Sequence, residues 1–395
     1  MLYEPAQFEP LTDEPWDPAR VADAIAAIVA DADAAFGSQT FWPAHEWDSA
    51  GGEMPLPLKG LYVGAPGVIW ALDALRRRGH AETSLDLAAV ALSLLELERA
   101  EPEWYADYLA GETHAHPASL LNGETGQLLV AYRVAPDAAV ADDLHVLARS
   151  NVTNLTDDVS WGVPGTLLAM LAMREWTKEP RWEVAARESA SLLRDRRGED
   201  GLWRQDDDYR GLGTLHGAAG NTLALLRVEP DEALAGETAA VLARHAVRED
   251  GLANWPGATG RPLVRPRDGQ ICLQWCTGAP GILAGAWEYL DEELVLAGAE
   301  LIWQAGAHGD EKGHGLCHGT SGNAFGLLKA FARTGDELWL ERARRFAVHA
   351  LGQAERLAAA NGRRRYSLFT GDVGTALFAA ACLDVDPRFP ILDAI

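Results

Sequence analysis

Residues 313–331 read GHGLCHGTSGNAFGLLKAF, and in them a glycine-rich turn runs directly into an apolar helical segment. The turn contains a G-x-x-G pair, and six further copies of this pair precede apolar segments at intervals of 39 to 61 residues. One such pair is weak evidence, because glycines also serve ordinary helix packing. Seven in register predict a repeated helical unit. The pairs begin at Gly64, Gly123, Gly162, Gly217, Gly278, Gly319 and Gly371.

Amphipathic segments alternate with the glycine-led segments, as at residues 84–100, 182–196, 232–248 and 337–357. The glycine-led segments are apolar on nearly every face and should be buried, whereas the amphipathic ones should form an outer layer. We therefore predict an all-α protein, an α/α toroid of seven inner and seven outer helices. An open solenoid is the alternative, although solenoids usually have more uniform repeats and polar caps.

The same pattern predicts the domain organisation and the location of a cavity. Residues 1–55 should form an N-terminal arm and a first helix, Pro18 to Ala35, that packs on the barrel, and residues 56–395 a single toroid. The inner-helix N-termini would converge at one end of this toroid. We expect them to line a cavity with free backbone amides and positive dipole ends.

Composition restricts the possible partners. The net charge of −24 and the isoelectric point near 4.8 argue against a nucleic acid or an anionic membrane surface. Four cysteines in 395 residues are too few for a disulfide framework, so we expect a cytoplasmic protein with reduced thiols. The N-terminus does not resemble a signal peptide, and no apolar run reaches the ~18 residues of a membrane span.

Three potential metal ligands lie directly before glycine pairs of adjacent repeats: Cys276, Cys317 and His318. Equivalent positions of adjacent repeats are neighbours in a toroid. Three protein ligands with a fourth position open are typical of catalytic zinc, so we predict one zinc per chain. The alternative is that these are buried residues that never meet. His314 is either a competing ligand or a pocket residue.

Two further groups could contribute chemistry. His216 occupies an equivalent position before Gly217 and is the candidate general acid or base, unless it only caps a helix. Asp158 could polarise it or act as a base, although an N-cap role or confusion with Asp157 is possible. Lys312 and the arginine run 363–365 could bind an anionic substrate, whereas such a run is more often a solvated turn.

These motifs resemble the LanC and LanC-like proteins. The resemblance rests on WCTGAPG, GHGLCHGTSGNAFGLL, the His216-Gly-Ala-Ala-Gly element and the seven glycine pairs, and it extends from about residue 55 to the end. KGHGLCHGTSGNA and LFTGDVGTALF look closer to the stand-alone LanC-like branch than to the lanthipeptide cyclases.

The resemblance implies a toroid with a central zinc held by Cys276, Cys317 and His318, together with a catalytic His216 and Asp158. In the LanC-like branch a lysine at the position of Lys312 and an arginine ahead of the last repeat help to bind glutathione.

That arginine falls within the run 363–365, and we assign it to Arg364. Two residues depart from the family pattern: Thr277 stands where cyclases have tyrosine and LanC-like proteins histidine, and Cys272 stands where cyclases have arginine. Otherwise Cys272 and Cys382 are interpreted as packing residues.

The implied reaction is zinc-dependent Michael-type addition of a thiol to dehydroalanine or dehydrobutyrine in a peptide or protein, giving a thioether. The nucleophile would be glutathione or a peptide cysteine. Three alternatives stay open. They are a lanthipeptide cyclase working with a separate dehydratase, a non-catalytic glutathione- or peptide-binding protein and, less favoured, a carbohydrate-active α/α barrel, which would need paired carboxylates across its cavity.

Overall fold

The computed structural model describes residues 1–48, 57–100 and 116–395. Fourteen α-helices and four short strands lie in these ranges. The inner helices are α2 Ala65–Arg77, α4 Glu124–Val134, α6 Val163–Thr177, α8 Ala218–Val228, α10 Ala279–Ala286, α12 Thr320–Thr334 and α14 Asp372–Asp384. The outer helices are α1 Pro18–Ala35, α3 Leu87–Ala100, α5 Ala138–Ser150, α7 Pro180–Asp195, α9 Glu232–His245, α11 Glu292–Ala305 and α13 Glu337–Asn361.

The inner helices form a closed ring. Each packs against the next along the chain, and α14 packs against α2, which excludes the open solenoid. The first helix, α1, packs against α14 and α13. The α/α toroid of seven inner and seven outer helices is therefore confirmed. The predicted boundary between arm and toroid, at residues 55–56, lies outside the described residues.

Four strands occur that the sequence pattern did not predict. β1 (Phe8–Glu9) pairs with β4 (Ala307–His308), and β2 (Val247–Glu249) pairs with β3 (Leu252–Asn254). None exceeds three residues, which is too short for a period-2 alternation to be detected. Through β1 the N-terminal arm is held on the toroid, with the Phe8 ring stacked on His308 at 4.5 Å.

The paired glycines are required because each loop folds back onto the start of its inner helix. A Cβ atom placed on any of the fourteen motif glycines would lie 1.6 to 2.6 Å from the carbonyl oxygen six residues earlier. At Gly322 this distance to the oxygen of Leu316 is 1.6 Å, and at Gly374 that to the oxygen of Leu368 is 2.0 Å. Only glycine permits such an approach of backbone to backbone.

The fold-back also corrects the expectation of free amides at the inner-helix N-termini. In α12 the N–H groups of residues 320–322 donate to the carbonyls of residues 313–315, at 3.1 to 3.2 Å. In α8 those of residues 218–220 donate to residues 211–213, at 3.0 to 3.4 Å. The loops therefore satisfy the groups that a helix start leaves without intrahelical partners, and these amides are not available to a ligand.

A second set of backbone hydrogen bonds links the loops around the ring. The participating residues lie two positions before the first glycine of each pair. Cys276 N–H donates to Cys317 at 3.3 Å, Cys317 to Phe369 at 2.7 Å, Phe369 to Tyr62 at 3.2 Å, and Tyr62 to Leu121 at 2.8 Å. The bond from Phe369 to Tyr62 joins the last repeat to the first.

The helices that the structure describes include none long and apolar enough to cross a bilayer.

We predict that Gly374→Ala lowers the free energy of unfolding by more than about 3 kcal/mol, the upper range for overpacking, because its Cβ would clash with the Leu368 carbonyl. Gly352→Ala is the control. Gly352 lies within α13, and the space that a Cβ atom would occupy there is open to 4 Å, so alanine should raise stability by about 0.5–1 kcal/mol. Denaturant unfolding measures both. Equal effects of the two changes would contradict the fold-back explanation.

Candidate metal and acid–base site

The three predicted metal ligands meet at one point of the ring. Cys276 and Cys317 are joined by the loop-to-loop backbone bond, and His318 follows Cys317 directly. The Sγ and imidazole nitrogen atoms of the three residues all lie within 4.8 Å of one another, and Cys317 Sγ is 3.6 Å from His318 Nε2. Within the described part of the chain, no other group of three His, Cys, Asp or Glu residues comes so close together.

This donor set fits zinc. In tetrahedral sites zinc bonds of ~2.3 Å to sulfur and ~2.0–2.1 Å to nitrogen separate the ligand atoms by roughly 3.3–3.8 Å. The 3.6 Å between Cys317 Sγ and His318 Nε2 falls within this range, and the other ligand atoms lie at most 4.8 Å apart. Both cysteines are buried, whereas His318 is half-buried, so the group is accessible on the side of His318.

The pKa values of the two thiols are shifted in opposite directions. The hydrogen bond from Cys317 lowers the pKa of Cys276 well below its usual value, against the effect of burial, and His318 adds to the lowering. Burial and the neighbouring Cys276 raise the pKa of Cys317. Gln274 Nε2 also donates to Cys276 Sγ, at 3.0 Å, and Thr277 Oγ1 lies 3.8 Å from the same sulfur. Cys276 is therefore prepared as a thiolate.

Tyr62 is a site residue that the sequence analysis missed. Its hydroxyl is hydrogen-bonded with the Cys317 thiol, and burial together with Cys317 and Cys276 raises the pKa of Tyr62 well above its usual value. The ring stacks on Phe369 at 5.0 Å. Tyr62 lies two residues before Gly64, the position that Cys276 and Cys317 occupy in their repeats, so the repeat register could have identified it.

His216 and Asp158 form a hydrogen-bonded pair. His216 Nδ1 lies 2.7 Å from Asp158 Oδ2, and the Trp161 backbone N–H donates to Asp158 Oδ1 at 2.7 Å. The Asp158 side chain is 2% exposed and that of His216 34% exposed. Asp157 faces elsewhere and pairs with Arg196 at 3.0 Å. Burial raises the pKa of Asp157 to about 6, opposed by Arg196.

The imidazole of His216 is poised to carry a proton. Burial disfavours its charged form, but the charge and hydrogen bond of Asp158, with a contribution from Cys276, outweigh burial and raise the pKa of His216. Because Nδ1 faces Asp158, Nε2 is the nitrogen available to a substrate. His216 and Cys276 come from neighbouring repeats, on the loops before α8 and α10.

The predicted cationic residues separate into two groups. Lys312, Arg363 and Arg365 line one small cleft with Trp47 and Asn361. Arg365 Nε also donates to Asp48 at 2.8 Å. Three cationic side chains therefore meet at one small cleft.

Arg364 is turned away from that cleft. Its side chain is 8% exposed, Nη1 donates to Asp372 at 2.8 Å, and Nη2 pairs with Glu355. His314 lines the cleft, with Nδ1 2.8 Å from Thr375 Oγ1 and Nε2 3.8 Å from Asp372, and it lies outside the ligand group.

The two remaining cysteines also lie outside the ligand group. Cys272 is 9% exposed, and burial raises its pKa. Cys382 is fully buried within α14, and burial raises its pKa as well.

Sequence comparison places these residues in a known context. The family described as lanthionine synthetase C-like protein matches residues 44–393. A 202-residue region is 30% identical to Glutathione S-transferase LANCL1 of Danio rerio and covers 48% of this chain and 47% of that protein. A 149-residue region is 30% identical to LanC-like protein GCL1 of Arabidopsis thaliana and covers 35% and 32%. The aligned regions thus span about half and about a third of these relatives.

Structural comparison shows the same architecture. The chain superposes on nisin cyclase with a TM-score of 0.56, over 94% of this chain and 96% of that one. The two sequences are 15% identical. This similarity is evidence for the shared toroidal fold.

We predict that Asp158→Asn lowers the pKa of His216 in metal-free protein, because the carboxylate charge that raises it is removed. The direction of this pKa shift also determines how the pair affects folding stability as the pH changes. A raised folded-state pKa means that the pair stabilises the fold below the ordinary histidine value of ~6.5 and that this contribution is lost as pH rises through the folded value. Imidazole NMR titration measures the pKa. His145 serves as the internal control and should titrate unchanged, whereas an unchanged His216 would contradict the assignment.

Proposed function

The chain belongs to the lanthionine synthetase C-like family, and on this premise we propose that it is a zinc-dependent enzyme that adds a thiol to dehydroalanine or dehydrobutyrine in a peptide or protein. The observation that carries the proposal is the meeting of three zinc-type ligand atoms within 4.8 Å, next to a repeat that presents a carboxylate-held imidazole. A nucleophile site and a proton donor are the two requirements of this addition.

In the proposal Cys276, Cys317 and His318 hold the zinc. When bound, zinc lowers the pKa of a thiol in its open position, so that the thiol is held as a nucleophilic thiolate at neutral pH. The protein supports these ligands through hydrogen bonds. The Gln274 side-chain amide donates to Cys276, and the Tyr62 hydroxyl is hydrogen-bonded with Cys317. Such outer contacts orient metal ligands and adjust their charge.

In the proposal His216 and Asp158 transfer the proton that the addition requires. The substrate thiol loses its S–H proton, a C–S bond forms at the β-carbon of the acceptor, and the α-carbon gains a proton from His216 Nε2. The thiol proton restores His216, so the overall addition is balanced. Asp158 keeps Nδ1 protonated and favours the imidazolium. Because the helix-start amides are occupied by loop carbonyls, the positive charge of His216 is the main stabiliser of the developing enolate.

We further propose glutathione as the thiol. The name of the Danio rerio relative supports this choice, as does the cleft lined by Lys312, Arg363 and Arg365, since glutathione carries two carboxylates. Direct contact is assigned to these three residues. Arg364 is given the role of fixing Asp372 beside His314. A cytoplasmic location suits the reaction, because all four cysteines are free and two must stay reduced.

We predict close to one zinc per chain in purified protein and its loss in Cys317→Ala, because two remaining ligands do not make a stable zinc site. Cys272→Ala is the matched control. This cysteine lies four residues from Cys276 but outside the ligand group, so its replacement should leave the zinc content unchanged. Elemental analysis after dialysis measures all three proteins. Wild-type protein without zinc would remove the proposed mechanism.

We predict that the zinc-loaded protein converts a dehydroalanine peptide to its glutathione adduct and that His216→Asn reduces the rate by about 10²–10⁴-fold, the usual contribution of general acid–base catalysis. Mass spectrometry detects the adduct, and zinc content confirms that the variant retains its metal. His245→Asn, in the outer helix α9, should retain wild-type activity. An unaltered rate in His216→Asn would exclude this residue as the proton donor.

A further inference from the structure

Trp161 lies beside the acid–base pair with its backbone fixed. Its N–H donates to Asp158 at 2.7 Å, and its carbonyl accepts from the side-chain amides of Asn151 and Asn154 at 3.1 and 3.0 Å. It directly precedes Gly162, as His216 precedes Gly217 and His318 precedes Gly319. Trp161 therefore occupies the position from which the other repeats present their reactive imidazoles.

The indole of Trp161, in contrast, has no partner among the residues that the structure describes. This half-buried side chain makes no hydrogen bond, ring contact or cation contact within residues 1–48, 57–100 and 116–395, and it is not among the residues of the hydrophobic core. Trp42, Trp203 and Trp255 instead donate their indole N–H to backbone carbonyls. An amphipathic ring on a fixed backbone is well suited to contact a ligand, because its apolar face and its N–H are both available.

The proposed reaction determines what reaches this ring. The β-carbon of the acceptor must approach the metal ligands on the loops before α10 and α12, and the adjacent α-carbon must approach His216 before α8. The α-carbon carries the peptide chain on both sides. One flank must therefore pass His216 toward the loop before α6, where Trp161 lies. The cationic cleft lies on the opposite side, at the loops before α12 and α14.

We propose that Trp161 binds the peptide segment that flanks the dehydroamino acid. Its ring packs on the flank, and its Nε1–H donates to a peptide carbonyl. This inference rests on the proposed function and narrows it, because the acceptor is then an extended peptide or an unfolded protein segment rather than a free dehydroamino acid.

The test compares two acceptors, a peptide with one dehydroalanine among several residues and N-acetyl-dehydroalanine methylamide, which lacks flanks. Trp161→Ala is expected to raise KM for the peptide about tenfold, as for the loss of a buried aromatic contact. KM for glutathione and the rate with the small acceptor should not change. Trp161→Phe should raise the peptide KM less, because the ring is retained. Trp176→Ala is the matched control, at the opposite end of α6.

Binding without turnover separates this inference from the proposed function. Titration calorimetry with a peptide in which alanine replaces dehydroalanine should show a Kd about tenfold weaker for Trp161→Ala. If wild-type protein binds this alanine peptide but adds no thiol to the matching dehydroalanine peptide, the proposed function fails and the contact stands. Equal Kd values in wild type and variant, no binding to wild type, or an equal loss of rate with both acceptors would each overturn the role of Trp161.

Discussion

The close contact between each loop and the start of its inner helix is the constraint on which the molecule depends. The carbonyl six residues before a motif glycine occupies the space of a side chain, and in α8 and α12 neighbouring loop carbonyls accept the first three N–H groups of the helix. This close approach of loop and helix requires glycine, so the glycine pairs in the sequence directly reflect the loop geometry. Repeated seven times, this geometry aligns the loops at one end of the toroid and lets them hydrogen-bond to one another.

The site follows from this alignment. The candidate site residues lie one or two positions before their glycine pairs, and the chain places different chemistry at these positions in different repeats. Thiols and an imidazole come from the repeats of α10 and α12, a second imidazole from that of α8, and Tyr62 from that of α2. The backbone of the ring is common to the repeats, so function resides in a few side chains at fixed positions.

The fold was predictable because the signal was repeated, and the ligand set because adjacent repeats become spatial neighbours. Contacts between distant parts of the chain were harder to predict from the sequence. The ion pairs of Arg364 with Glu355 and Asp372 depend on side-chain directions in one irregular turn, which distinguish it from Arg363 and Arg365. The expectation of free amides at the helix starts was wrong. The carbonyls that accept hydrogen bonds from these amides belong to loops whose path the sequence pattern does not specify.

The hydrogen bond from Phe369 to Tyr62 has a consequence for biosynthesis. All three proposed metal ligands are translated by residue 318, yet Cys317 takes its backbone partner from Phe369 and its side-chain partner from Tyr62. The site is therefore complete only when the final repeat has closed on the first. A nascent or prematurely terminated chain carries these three residues without the contacts that support them, so under the proposed function tight metal loading would report that the whole ring has been made.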